Sequence, residues 1–248
     1  MKLLNKYILC YRIDVVTQNI LKAFPQINKQ NLENLVDLFY KEFFNTICEI
    51  IKSIQINKQQ ICERVNLENL HIIKKSLKKG KPIILLSGHY ANTEWLGLRL
   101  SIENIKFTAV YKELKNQHIN NLILSIRTKF GAQLIPLHKW RYFILKHKNK
   151  ACSLSFLADQ VPSSIDNGKR IDFLNQSTLF HTGPEKTARL LNADVFYVEM
   201  RKLKRGFYSV TFKLMKSNNI TQEYAEILEK TIKKQPASWL WSHNRWKR

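Results

Sequence analysis

The stretch at residues 87–95, Ser-Gly-His-Tyr-Ala-Asn-Thr-Glu-Trp, carries the clearest chemical signal in this chain of 248 residues. It follows a short apolar run and places His89 five residues before Glu94. In a regular helix, a spacing of five does not bring two side chains to one face. The two can meet if His89 lies on a turn and Glu94 on the first turn of the next helix. A neutral imidazole oriented by a carboxylate activates a hydroxyl nucleophile, so this pair would support general-base catalysis.

This position would also influence the protonation of His89. The N-terminus of a helix disfavours a cation, so it favours the neutral imidazole that accepts a proton. Glu94 would then hold one ring nitrogen and stabilise the imidazolium that forms later. The chain has neither the paired histidines of a zinc-protease helix nor a Gly-x-Ser-x-Gly nucleophile elbow. By spacing alone, a purely structural His–Glu pair is the alternative interpretation.

Short apolar runs separated by turn residues predict the elements that position this pair. The unbroken run at 83–86 is typical of a strand buried on both faces, and Gly88 permits a tight turn after it. Further strands are predicted at 107–111, 134–137, 152–158, 195–200 and 207–214, and helices at 92–100, 116–130, from 182 onward and at 221–233. Strands that alternate with helices indicate an α/β fold with functional residues at the strand ends.

The first part of the chain predicts helices instead. Residues 14–77 are expected to be helical, so that 1–78 form a helical N-terminal region before an α/β core at 79–248. Apolar side chains recur there at helical spacing, at Val36, Phe39, Tyr40, Phe43, Phe44, Ile47, Ile50 and Ile51. This wide apolar face indicates packing on the core, with contact to membrane lipid as the alternative.

The composition indicates a folded protein with a strongly basic surface. Its 44% of hydrophobic residues argues against disorder. The formal net charge of +22 suits an anionic partner, either nucleic acid, an anionic membrane face or an acidic carrier protein. The sequence contains no zinc finger, RNA-recognition aromatic motif or glycine-rich KH loop, so nucleic acid is not the expected partner. The four cysteines, Cys10, Cys48, Cys62 and Cys152, lack zinc-site or redox spacing, and no metal is expected.

No targeting or membrane-spanning segment is expected. The sequence has no run of about 20 apolar residues that would cross a bilayer, and no apolar segment leads to a signal-peptide cleavage site. We therefore expect a protein of the cytoplasm or of the cytoplasmic face of a membrane. Basic residues near an anionic leaflet contribute about 1 kcal/mol each, so several together would hold such a protein peripherally.

Several blocks of the sequence resemble the late acyltransferases of lipid A biosynthesis, which share the His-x4-acidic signature of glycerolipid-type acyltransferases. In chain order the matching blocks are 88–95, 110–116 with Arg127 and Gly131, 157–160 with 172–174, 182–188, and 239–246. The resemblance runs from about Asn19 to the C-terminus, and it is strongest to the subgroup seen in Bacteroidetes-like bacteria. Each block alone is weak evidence for the family, whereas the blocks together, in this order and spacing, are specific evidence.

The resemblance implies a glycerolipid-acyltransferase-like mixed sheet flanked by helices, and acyl transfer without metal or cofactor. In that family an acyl chain moves from acyl carrier protein, or from coenzyme A, to a hydroxyl of a membrane lipid at the inner membrane. His89 would remove the acceptor proton and Glu94 would orient His89. The side chains expected to bind substrate are Lys112, Asn116, Arg127, Asp159, Gln160 and Arg189. For the basic residues the alternative is a solvated surface charge, and for Asp159 a turn cap.

The chain also departs from the family pattern. Many relatives carry Trp at the position of Thr93, many have Phe-Phe-Gly at 173–175, where this chain has Phe-Leu-Asn, and many begin with a membrane-spanning helix. The acceptor therefore stays open between a lipid A precursor, which we expect, and a lysophospholipid or amino-acid lipid. A basic nucleic-acid-binding protein is a second alternative. Trp239, Trp241 and Trp246 are expected to pack on the core, with a lipid interface as the alternative.

Overall fold

The structure, a computed structural model, describes residues 11–103, 105, 107–146, 151–162 and 164–246. Cys10 lies outside these residues. Helices in the described part are α1 (Ile13–Ala23), α2 (Lys29–Lys52), α3 (Lys58–Arg64), α4 (His71–Lys78), α5 (Thr93–Ser101), α6 (Gln117–Thr128), α7 (Trp140–Lys146), α8 (Gly183–Leu191) and α9 (Ile220–Lys234). The strands are β1 (Val65–Leu67), β2 (Ile83–Ser87), β3 (Phe107–Tyr111), β4 (Gln133–Pro136), β5 (Ser153–Leu157), β6 (Gly168–Phe173), β7 (Gln176–His181), β8 (Asp194–Lys204) and β9 (Phe207–Leu214).

Seven of these strands form one mixed sheet, in the order β1-β9-β8-β2-β5-β3-β4. The strands from β8 to β4 run parallel to one another. β9 is antiparallel to β8, and β1 is parallel to β9. Helices flank the sheet, which confirms the predicted α/β class. Strands and helices occupy each position at which the apolar runs of residues 83–233 predicted them.

The central strand β2 shows why an unbroken apolar run belongs in the middle of the sheet. Side chains alternate between the two faces of a strand. Ile83 and Leu85 pack into the core cluster on one face, whereas Ile84 and Leu86 pack into the cluster on the other. Because helices cover both faces, every residue of β2 is buried and none of them needs to be polar.

The N-terminal helices pack on the core, as their apolar spacing predicted. Val16 and Ile20 of α1 and Phe39 and Tyr40 of α2 are buried in one core cluster. The prediction of helix throughout 14–77 was wrong at β1, which pairs with β9 at the edge of the main sheet. This three-residue strand depends on tertiary hydrogen bonds, not on a local pattern. The boundary between residues 78 and 79 stays a prediction. None of the helices in the described ranges has the length and apolar content needed to span a bilayer.

The hairpin of β6 and β7 was not predicted. Its two-residue turn places Leu174 and Asn175 at φ 49° and 59°, the left-handed region that tight hairpin turns require. Asn tolerates this region, but leucine does so rarely. The side chain of Leu174 is fully buried, and its N–H donates to Glu229 at 2.9 Å. Of the two turn residues, only Asn175 favours this conformation, so the burial of Leu174 must stabilise the turn.

Candidate active site

Two neighbouring parallel strands bring the chemical residues to one edge of the sheet. β2 and β5 pair in register, with Ser87 opposite Leu157. One more backbone hydrogen bond, from Ala158 N–H to Ser87 O at 3.1 Å, continues the pairing past the strand ends. His89 and Asp159, two residues beyond these strands, therefore lie side by side although they are 70 residues apart in the chain.

Asp159 is the hydrogen-bond partner of His89. Its Oδ1 lies 2.6 Å from His89 Nδ1, and its Oδ2 accepts the backbone N–H of His89 at 2.9 Å. Trp239 donates its indole N–H to the same Oδ2 at 2.8 Å. Burial alone would raise the pKa of this carboxyl, which is 3% exposed, but the charge of His89 and the three donors hold its pKa well below the ordinary value. Asp159 is thus an ionised, rigidly held acceptor.

The carboxylate fixes the tautomer of His89. An ionised Asp159 can only accept hydrogen bonds, so Nδ1 carries the proton and Nε2 keeps a lone pair. Burial lowers the pKa of His89, yet the charge and hydrogen bond of Asp159, with a contribution from Glu94, raise it above 6.5 on balance. This corrects the expectation that the helix N-terminus sets the protonation of His89, because a carboxylate in contact outweighs a helix dipole. A raised pKa makes Nε2 a stronger base.

Glu94 contacts Arg127 and not His89, contrary to the expected pairing. Both carboxylate oxygens of Glu94 accept from the guanidinium, Oε2 from Nε at 2.8 Å and Oε1 from Nη2 at 2.5 Å. Their side chains are 16% and 32% exposed. Burial would lower the pKa of Arg127, but Glu94 raises it on balance. The reason is geometric: Glu94 lies on the first turn of α5 beside α6, whereas β5 delivers Asp159 directly to the imidazole.

Helix α2 supports the junction between the loop of His89 and the start of α5, where Glu94 lies. Asn92 caps α5 by accepting the N–H of Trp95 at 3.0 Å, and its amide donates to Glu49 of α2 at 2.7 Å. Glu49 is buried and also accepts from the hydroxyl of Tyr208 at 2.6 Å. The polar network therefore fixes the start of α5, and with it the position of Glu94.

The C-terminal segment forms the other wall of the same loop. Ser238 O accepts the N–H of Ala91 at 2.8 Å, and Leu240 N–H donates to His89 O at 3.0 Å. Trp239 and Trp241 are buried in the core, so these two tryptophans pack inside and not at an interface. Trp239 has a further role that the sequence did not suggest, since its indole N–H holds Asp159.

Close packing between the strand and the loop favours glycine at position 88. A Cβ at this position would lie 3.0 Å from Leu228 Cδ1 and 3.2 Å from Asp159 Oδ2. The absence of a side chain therefore lets the backbone of residue 88 approach the carboxylate that orients His89. The prediction of a turn at Gly88 is confirmed, since Tyr90 N–H donates back to Gly88 O at 2.8 Å.

His89 and the Glu94–Arg127 pair both line a large cleft between the sheet edge and helices α5 to α8. Its volume is about 870 Å³, within the range of about 300–1,000 Å³ typical of small-molecule sites. Most of its wall is apolar, from Leu96, Leu98, Phe107, Val110, Ile123, Leu124, Leu134, Ile144, Phe156 and Leu157. The arrangement offers a base and a bidentate ion pair beside a space suited to a long aliphatic group.

The remaining predicted substrate-binding residues divide into two groups. Lys112 and Gln160 line the cleft, and the Gln160 amide nitrogen lies 3.3 Å from His89 Nε2. Asn116 instead caps α6 by accepting the N–H of Ile119. Arg189 is exposed, donates to Glu185 at 2.6 Å and does not contribute to the cleft wall. The structure therefore does not bring Asn116 and Arg189 to the His89 site.

Other residues at the site were missed from the sequence. His181, at the end of β7, lines the cleft, and burial together with Arg245 lowers its pKa. Glu49 and Trp239 support the loop from distant parts of the chain. No local pattern distinguishes them, since their roles arise from contacts over long separations. Within the described ranges, no three His, Cys, Asp or Glu side chains converge in a way that could hold a metal ion.

Comparison with known proteins adds one finding to this geometry. A family model described as bacterial lipid A biosynthesis acyltransferase matches residues 4–248, nearly the whole chain. Among curated proteins, none matches the chain. The matched span includes the His89 loop, the Asp159 strand end and the C-terminal segment that encloses them.

Proposed function

Since the chain belongs to the bacterial lipid A biosynthesis acyltransferase family, we propose that it transfers a fatty acyl chain from acyl carrier protein to a hydroxyl of a lipid A precursor. The transfer would take place at the cytoplasmic face of the inner membrane. One observation carries this proposal: His89, hydrogen-bonded to the buried Asp159, lines a large, mostly apolar cleft. Membership of the Bacteroidetes-like subgroup stays a prediction.

The reaction begins with the acceptor hydroxyl beside His89. Nε2 takes the hydroxyl proton as the oxygen attacks the thioester carbonyl, and a new C–O bond forms. Asp159 holds the ring and stabilises the imidazolium that results. The C–S bond then breaks, and the imidazolium returns the proton to the leaving thiolate. The products are the acylated lipid and the free carrier thiol, and His89 is restored.

The oxyanion of the tetrahedral intermediate needs hydrogen-bond donors near Nε2. Gln160 is suitably placed, because its amide nitrogen lies 3.3 Å from that atom. Arg127 lines the same cleft, and its guanidinium stays positively charged beside Glu94. A preorganised donor of this kind is worth about 2.7–4 kcal/mol in hydrolases that have been tested. We propose Gln160 and Arg127 as the groups that stabilise this charge.

An acyl-transfer assay tests the proposal. Purified protein would receive labelled acyl carrier protein thioester, together with either an under-acylated lipid A precursor or a lysophospholipid. His89→Ala is the inactive variant, and His71→Ala, an exposed histidine of α4, is its matched control. We expect label in the lipid A precursor with wild type and with His71→Ala, but not with His89→Ala.

The other outcomes distinguish an error in the proposed mechanism from an error in the proposed acceptor. Transfer to the lysophospholipid alone would keep the mechanism and replace the acceptor. Equal transfer by folded His89→Ala would contradict the role of His89. If wild type transfers to neither acceptor, and also fails with acyl-coenzyme A as donor, the proposed function is wrong.

A further inference from the structure

Large apolar side chains stand in solvent around the mouth of the cleft. Leu114, Leu137 and Leu145 are exposed and also line the cleft, so they mark its opening. Ile119 lies one helical turn before Ile123 of the cleft wall, and Tyr142 one turn before Leu145. Tyr142 is 71% exposed and Leu145 65%. We call these five residues, Leu114, Ile119, Leu137, Tyr142 and Leu145, the mouth surface.

Basic residues accompany the mouth surface. Residues 112–146 contain a single acidic residue, Glu113, against seven basic ones: Lys112, Lys115, Arg127, Lys129, Lys139, Arg141 and Lys146. Arg127 pairs with Glu94, and Lys129 donates to the carbonyls of Ser53 and Ile54 just beyond α2. The other five basic side chains belong to exposed residues. Exposed leucines and an aromatic residue amid lysine and arginine are the pattern of a surface that enters an anionic lipid interface.

A second exposed apolar strip lies near the end of α2, at Ile47 and Ile51, and continues to Ile54 beyond the helix. Its charge differs, because α2 contains three basic and four acidic residues. An anionic leaflet attracts lysine and arginine near its surface. The nearly balanced charge of α2, even with Lys129 beside its end, therefore attracts a leaflet less than the mouth surface does. Charge complementarity therefore favours the mouth surface over α2.

We propose that the mouth surface docks on an anionic phospholipid bilayer, so that the cleft opens directly into lipid. This inference rests on the proposed function and identifies where its lipid substrate enters. A lipid drawn from the bilayer would pass between Leu137 and Leu145 toward His89 without exposing its chains to water. An acidic carrier protein would match the basic residues equally well, but the protruding Tyr142 and Leu145 favour hydrocarbon as the partner.

Vesicle flotation tests the proposal with matched variants. The probes are vesicles of pure phosphatidylglycerol and of pure phosphatidylcholine. Ile119→Ser/Tyr142→Ser removes apolar surface without changing charge, and neither residue lines the cleft. Leu21→Ser/Leu203→Ser is the control, since both leucines are exposed elsewhere. Ile51→Ser/Ile54→Ser tests the α2 strip.

We expect wild type and control to float with phosphatidylglycerol vesicles and only weakly with phosphatidylcholine. The affinity of Ile119→Ser/Tyr142→Ser should fall about tenfold or more, because two inserted side chains lose their burial. The proposal is overturned if only the α2 double variant loses affinity, or if wild type floats with neither vesicle. It is also overturned if Ile119→Ser/Tyr142→Ser loses binding to acyl carrier protein but keeps binding to vesicles.

Activity in detergent distinguishes failure of this inference from failure of the proposed function. With detergent-dispersed acceptor, Ile119→Ser/Tyr142→Ser should match the wild-type rate, and with acceptor in vesicles it should be slower. Equal rates in vesicles would contradict docking alone. An inactive wild type in detergent would contradict the proposed function itself.

Discussion

Two carboxylates hold side chains that line the same cleft, His89 and Arg127, and they do so very differently. Asp159 is 3% exposed and accepts three hydrogen bonds, two from His89 and one from Trp239. Glu94 is 16% exposed and binds the guanidinium of Arg127, which is 32% exposed. Asp159 follows a strand and binds both the loop of His89 and Trp239 of the C-terminal segment. Glu94 and Arg127 join two adjacent helices, α5 and α6.

The difference shows how one site can combine a rigidly oriented base, His89, with a positive charge, Arg127, that can change partners. Asp159 is buried and is held by hydrogen bonds from both His89 and Trp239, so His89 keeps one tautomer and one orientation. Glu94 and Arg127 reach solvent and the cleft, and a substrate group can compete for the guanidinium. We therefore propose that Asp159 orients the base and that Arg127 stabilises developing negative charge.

Replacement of His89 by Ala should cause the largest loss of acyl-transfer activity. Loss of the general base should lower the rate of acyl transfer about 10²–10⁴-fold. The side chain is partly exposed, so the fold should persist, with a circular dichroism spectrum like that of wild type. A folded His89→Ala with more than a tenth of wild-type activity would remove the basis for comparing the two pairs.

Replacement of Asp159 by Asn should lower the rate about 10²–10³-fold, because the amide no longer fixes the tautomer of His89. The pH–rate profile gives a second readout. Wild type should gain activity as pH rises through the pKa of His89, which lies above 6.5. In Asp159→Asn that pKa falls, since burial is no longer opposed by the carboxylate charge. The rising limb should move to lower pH, and an unmoved limb would contradict the assignment.

Replacement of Glu94 by Gln should cost less, about 10–10²-fold, because His89 keeps Asp159. Glu103→Gln is the matched control, since Glu103 pairs with Lys74 at 2.8 Å away from the cleft. The rising limb of the pH–rate profile should shift only slightly, because Asp159 contributes more than Glu94 to raising the pKa of His89. A larger loss than in Asp159→Asn would reverse the roles given to the two carboxylates.

Replacement of Trp239 by Phe should have the smallest effect on rate, within about tenfold. Loss of a hydrogen bond to a charged group should lower the free energy of unfolding by about 1.5–3 kcal/mol, measured by urea denaturation. Trp246→Phe is the control, because its indole N–H donates to the neutral Thr178 hydroxyl at 2.8 Å. Equal rates for both variants would show that Asp159 is held well enough by His89 alone.

Apolar runs and turn residues predicted those strands and turns whose conformation is set by a few neighbouring residues. The buried run at 83–86 and the turn at Gly88 placed His89 at a strand end, because strand period and glycine chemistry act over a few residues. β1 was missed, since three residues gain a strand conformation only from pairing with β9. The turn at Leu174 was missed because burial there overrides the usual preference of leucine.

The pairing of the site residues depends on contacts between distant parts of the chain. His89 and Asp159 are 70 residues apart and meet through sheet register. The sequence predicts both as site residues, but the order of strands in a sheet cannot be read from the strands themselves. Glu94 and Arg127 meet through the packing of α5 on α6. The sequence therefore indicated which residues to examine, whereas only the topology shows which of them touch.

The placement of Ser238, Trp239 and Leu240 against the loop of His89 has a consequence for the timing of synthesis. The ribosome adds these residues long after Ala91, Asp159 and His89, yet they bond to all three. A nascent chain that has folded through β9 still lacks this wall and the donor that holds Asp159. The site is therefore completed only after translation has passed residue 240, and until then the growing polypeptide holds His89 in an incomplete site.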